Sequence, residues 1–152
     1  MGIMNQEELL EIYNKFPAIL RSKLIGKEIA LPVGTQFVYD KFLAFRAIER
    51  KPDDNTPVNI RDMLSLYELG KNPRGKKLDE KDPSSYAASL FKDYADIAMC
   101  FKFPNPKKKL AHICVYAEGG PQCGRDYDSH VDWWLYENVD FSGFKMMEDF
   151  DG

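Results

Sequence analysis

Two histidines are the whole imidazole inventory of this 152-residue chain, and each has a possible partner two residues on. His112 is followed by Cys114, and His130 by Asp132. On a strand, residues i and i+2 point to the same face, so if the two segments pair, all four side chains could converge. A metal ion would need imidazole nitrogen, thiolate or carboxylate at about 2.0–2.3 Å from one centre. The three cysteines, Cys100, Cys114 and Cys123, form no Cys-x-x-Cys pair, and no metal is expected.

A phosphodiester chemistry with one histidine as base and one as acid would also use two histidines. It calls for a hydroxyl two residues after each, to hold phosphate oxygens. The motifs here read His112-Ile113-Cys114 and His130-Val131-Asp132, without those hydroxyls.

Arg46 stands inside an apolar run, Leu43-Ala44-Phe45-Arg46-Ala47-Ile48. A guanidinium in such a run must face solvent or meet an anion or other acceptors. Some forty residues on comes Tyr86-Ala87-Ala88-Ser89-Leu90-Phe91, a strand-like run with a hydroxyl at Ser89 that leads into a helix. A comparable distance further comes Ser129-His130-Val131-Asp132-Trp133-Trp134, a strand with an acid.

In order and spacing, residues 35–145 resemble ADP-ribosyltransferase-like domains. That resemblance implies NAD as a possible cofactor, with Arg46 on its phosphates and Ser89 ordering the site. Asp132 would be the acid that stabilises the ribosyl cation, with Glu137 as second candidate. His130 stands where the family has its leading acidic residue, and Ala87-Ala88 where a second hydroxyl is expected. Trp133 or Trp134 would edge the cleft and stack the nucleotide. An Asp is one methylene shorter than the Glu it replaces, so nucleotide binding is expected to outlast turnover.

A second class competes with this one. The adjacent tryptophans, Tyr127, Tyr136 and the Gly119-Gly120-Pro121-Gln122-Cys123-Gly124 loop would also suit a protein-binding hot spot. A non-catalytic inhibitor, of immunity or antitoxin kind, is the alternative reading, so the partner is a nucleotide or a protein. The charge balance, 21 basic against 24 acidic residues or −3, disfavours a nucleic-acid partner, which would call for a basic face. The Lys107-Lys108-Lys109 run reads as charge flanking a strand. No apolar run reaches the ~20 residues that cross a bilayer, and no membrane association is expected. An odd cysteine count with no signal-peptide pattern reads as reduced thiols in a cytoplasmic protein.

The elements that must position these groups are legible in outline. Hydrophobic residues make up 44% and charged residues 30% of the chain, a globular composition. Residues 1–152 read as a single α+β domain with an acidic, frayed tail at 145–152. Leu9, Leu10, Ile12, Tyr13 and Phe16 mark one helical face, capped by Asn5. Pro17 interrupts it, and a second helix follows to Gly26. Alternation at 35–39 and the apolar run at 42–48 predict strands. Two further short helices follow, one over 61–69 with Asn59 as cap and Gly70 past its end, the other from Asp93 through Phe101. Strands at 86–91, 110–117 and 129–136 complete a mostly antiparallel sheet. Leu9, Ile12, Phe16, Phe45, Phe91, Ile97, Phe101, Ile113, Val115, Val131 and Leu135 are the expected core. Cys100 is expected inside it, and Cys123 accessible.

Overall fold

The computed structural model describes residues 5–73, 75–101 and 106–147. Helix α1 (Gln6–Tyr13) begins where the Asn5 side chain accepts the Glu8 amide at 2.9 Å. Lys15 and Phe16 then turn the chain, Pro17 opens α2 (Ala18–Ile25), and Gly26 closes it. Of this hairpin, Phe16, Leu20 and Leu24 are buried.

Among the described residues six antiparallel strands form one sheet. They are β1 (Phe42–Glu49), β2 (Ala88–Phe91), β3 (Lys108–Val115), β4 (Gln122–Gly124), β5 (His130–Trp133) and β6 (Phe144–Met146), in the spatial order β4-β5-β2-β1-β3-β6. The predicted α+β class and antiparallel sheet are therefore what the structure has. The 35–39 segment departs from expectation. It makes a single bridge, Gln36 to Gln122, instead of a strand, because Pro32 to Gly34 turn the chain and leave Val33 and Val38 in solvent. The helix expected over 61–69 is split. A 3-10 turn, Ile60–Met63, is opened by an Asn59–Asp62 capping box, and α3 (Leu66–Leu69) by a second box, Ser65–Glu68. Gly70 ends α3 at φ +68°, the left-handed conformation glycine adopts without penalty. Helix α4 (Tyr94–Cys100) follows β2.

Register assigns each side chain to a face. Ala44, Arg46 and Ile48 of β1 share one face with Ile113 and Ala111 of β3, with Ala88 and Leu90 of β2, and with Val131 and Trp133 of β5. That face carries the main core, closed by Val58, Met63, Val139 and Phe144. The helical hairpin closes a second cluster beside it, in which Phe16, Leu20 and Leu24 pack on Tyr86, Trp134 and Tyr136. On the opposite face α4 covers only part of the sheet, through Ile97 against Phe91 and Leu110. Each fully buried aliphatic or aromatic side chain contributes roughly 1.5–3 kcal/mol.

Phe16, Phe91, Ile97, Ile113, Val115 and Val131 are buried as expected. Ile12, Phe45, Phe101 and Leu135 are only half-buried. Helix α1 has no fully buried residue, so Leu9 is half-buried too, because α1 packs against α2 and not on the sheet. Cys100 is exposed, contrary to expectation, because α4 turns Ile97 inward and its last turn outward. Of the acidic tail, residues 148–152 lie outside the described residues.

Candidate functional site

The β2–β5 register sets Ser89 opposite Asp132 and Phe91 opposite His130. By alternation all four side chains stand on the face that α4 leaves partly open. Ser89 Oγ lies 2.6 Å from His130 Nε2, and Ser84 Oγ donates to Asp132 Oδ2 at 2.6 Å. His130 Nε2 is also 3.7 Å from Asp132 Oδ1. Asp128 accepts the His130 amide and is itself held by a bidentate Arg125. Three of the residues singled out from sequence, Ser89, His130 and Asp132, therefore meet.

Burial pushes the Asp132 carboxyl up to about 6, against the hydrogen bond from Ser84. Burial pulls His130 down to about 4, with Arg125 adding to the effect. At neutral pH the pair is imidazole and carboxylate. Serine and aspartate both approach the same ring nitrogen. A relay would place them on opposite nitrogens so that the acid could stabilise the imidazolium. The arrangement is a hydrogen-bonded polar cluster rather than a relay.

Arg46 does not join it. Its side chain lies on the core face, where Nε donates to the Asp62 carbonyl at 2.7 Å and Nη2 to the Leu64 carbonyl at 2.9 Å. Nη1 donates to the Ser89 carbonyl at 2.9 Å. The cause is local. The β1–β2 ladder has one register pair, Phe45 with Phe91, and past it the guanidinium takes the β2 carbonyl. Burial lowers the group to about 10, opposed by Asp62 and Glu68, which leaves it charged at neutral pH. All its nitrogens are committed to main-chain oxygens, and none is turned to a phosphate.

The tryptophans are also accounted for. Both are fully buried, one on each side of the chain. Trp133 Nε1 donates to the Gly120 carbonyl at 3.0 Å within the main core, and Trp134 Nε1 to the Pro83 carbonyl at 2.9 Å within the second. Neither edges a cleft, because Trp133 packs into the main core and Trp134, one residue past β5, packs into the cluster under the helical hairpin. His112 and Cys114 share the face of His130 but lie on β3, with β1 and β2 between. Three strand spacings put them about 14 Å away. Among the described residues no group of three or more His, Cys, Asp or Glu could hold a metal ion.

Glu137 stands elsewhere, beside a groove of about 460 Å³. One wall is the start of α2, with Pro17, Ile19 and Leu20. The other is the segment Ile60, Met63 and Leu64 running into α3. Ala88, Leu135 and Tyr136 form the floor, and the groove follows the seam between the two core clusters. Ile19 and Ile60, which both line it, are 49% and 50% exposed. Sequence reading missed this site because it joins three segments remote in the chain. Its one local sign was that Ile19 and Ile60 each lead a helical turn from the solvent side. A second hollow of about 410 Å³ has polar walls, including Asp40, Glu118 and Asp140.

Compared with protein-family models, curated proteins and solved structures, the chain matches none. No helix among the described residues is long and apolar enough to cross a membrane.

Proposed function

We propose that this chain is a protein-binding domain, as inhibitor, immunity or antitoxin proteins are, and that it docks an apolar anchor of its partner in the groove between α2 and α3. The observation that carries this reading is the groove's composition: a hollow of about 460 Å³ with mostly apolar walls, flanked by two half-exposed isoleucines. Isolated exposed apolar residues need no explanation, but a concave apolar site does. Interfaces draw most of their affinity from a few side chains seated in such pockets.

The nucleotide reading keeps the meeting of Ser89, His130 and Asp132. The cation expected on the phosphates does not join it, since Arg46 is bonded to three carbonyls on the other face, and Arg125 beside the cluster is held bidentately by Asp128.

The test has two arms. Random peptides displayed on phage are selected on the wild-type protein and, in parallel, on folded Ile19→Lys and Ile60→Lys. Sequences enriched on the wild type and lost on both variants support the reading, and absence of such sequences overturns it. Calorimetric titration with NAD and ADP-ribose should give no heat. Heat that disappears in Asp132→Asn would restore the enzyme reading in its place.

A further inference from the structure

We infer that the segment this groove takes is cationic as well as apolar: an aliphatic or aromatic side chain seated between Ile19 and Ile60, with a lysine or arginine within two positions of it reaching Glu137. The inference rests on the protein-binding reading above and names its partner's chemistry.

The argument starts from the charges lining the groove. Among the described residues two charged side chains line it, Glu68 and Glu137, both carboxylates, with Arg21 beside Glu137 and the buried Arg46 acting on Glu68 from behind the wall. They stand on different elements, Glu68 on α3 and Glu137 just past β5. Glu68 is fixed in place, because its Oε1 accepts both the Ser65 amide at 3.0 Å and the Ser65 hydroxyl at 2.9 Å. Its position at the bank of the groove therefore follows from the capping of α3 and does not drift with solvent.

Glu137 is placed by its backbone, whose amide donates to the Lys15 carbonyl at 2.9 Å. Its side chain is 58% exposed, and the nearest cation, Arg21 Nη1, is 3.7 Å from Oε1. That separation is an ion pair without a hydrogen bond. A carboxylate has about four lone-pair sites, so an incoming cation can bond it directly while Arg21 stays near.

A segment with an acidic residue beside its anchor would meet the exposed carboxylate of Glu137 and lose affinity. A purely apolar segment would bury the edge of Glu137 without replacing its water. A basic neighbour does replace it, and opposite charge at the rim of an apolar core sets which partner is accepted.

The phage selection described above also tests this inference, and the two readings fail differently. The expected consensus is one large apolar residue with lysine or arginine within two positions. Enriched, groove-dependent peptides with neutral or acidic flanks overturn the cationic inference and leave the protein-binding reading standing. No groove-dependent enrichment overturns both. A synthetic peptide of the selected sequence is then titrated into the wild type and into Glu137→Gln, whose exposed position leaves the fold intact by circular dichroism. Affinity should fall about threefold, the range of a partly exposed ion pair. Replacing the peptide's basic residue with glutamine should produce the same loss in the wild type and no further loss in Glu137→Gln. Equal affinity of wild type and Glu137→Gln overturns the inference.

Discussion

Arg46 and Ser89 are joined through the backbone and separated by the sheet. The guanidinium of Arg46 holds the Ser89 carbonyl at 2.9 Å from the core face, while the Ser89 hydroxyl turns to His130 on the other. The same guanidinium holds Asp62 and Leu64, so one side chain ties β1 to β2 and to the wall of the groove.

Removing that side chain leaves three carbonyls without their donor. Arg46→Ala should destabilise the protein by about 2–4 kcal/mol, because a buried acceptor left without a donor costs about 1–3 kcal/mol, and here two of the three carbonyls are half-buried while that of Ser89 can turn to water. Arg46→Lys should recover little of this, since an ammonium cannot span the same three directions. Urea unfolding checks both. A loss under 1 kcal/mol for Arg46→Ala would mean the guanidinium does not serve as this tie.

Gly120 is the tightest point of the loop before β4. Its φ is +142°, and a Cβ there would collide with the Trp134 carbonyl. Its own carbonyl accepts from both Tyr39 and Trp133. Gly120→Ala should cost at least about 3 kcal/mol, from backbone strain together with overpacking. A thermal melt within a degree or two of wild type would contradict this.

Asp132 and His130 should oppose each other as pH changes. The Asp132 carboxyl is raised to about 6 in the fold. Its stabilising contribution is full below the unfolded value near 3.8 and is lost as pH rises through 6. His130 is lowered to about 4, so its contribution is full above the unfolded value near 6.5 and is lost as pH falls through 4. Each effect amounts to at most about 3 kcal/mol, and between pH 4 and 6 they largely cancel. Relative to wild type, Asp132→Asn should gain stability as pH rises from 4 to 6, and His130→Gln should lose it. Denaturation curves at several pH values decide the matter, and variants that run parallel to wild type would refute it.

Cys100, Cys114 and Cys123 are free thiols in the structure. Cys100 is exposed on α4, whereas burial pushes the Cys123 thiol up. An aromatic disulfide reagent should react first and fastest at Cys100, and with three thiols once the chain is unfolded. Finding one thiol after unfolding would indicate a disulfide.

The sequence made several strands legible and one decisive fact illegible. The runs that became β1, β2, β3 and β5 stood out because β-branched and aromatic residues cluster between turns. The pairing of His130 with Asp132 on one face followed from spacing alone. The face of Arg46 did not, because β1 has apolar residues on both sides: Ala44 and Ile48 point one way, Phe45 and Ala47 the other. Which side is the core depends on where the Ile60–Met63 turn and α4 dock, and that is set by contacts remote in the chain. The same reason hid the burial of both tryptophans. Helix α1 was legible as a helix, but the half-burial of Leu9 was not, since periodicity marks an apolar face without saying what covers it.

The groove lies where two clusters of buried side chains meet without filling the space between them, which has a mechanical consequence. A close-packed interior is nearly incompressible, so this molecule should yield along one seam. Pressure favours whichever state removes empty volume. Under a few kilobar, amide resonances of α2 and of the Ile60–Met63 turn should therefore shift before those of β1 and β3, with the helical hairpin moving against the sheet as one leaf of a hinge.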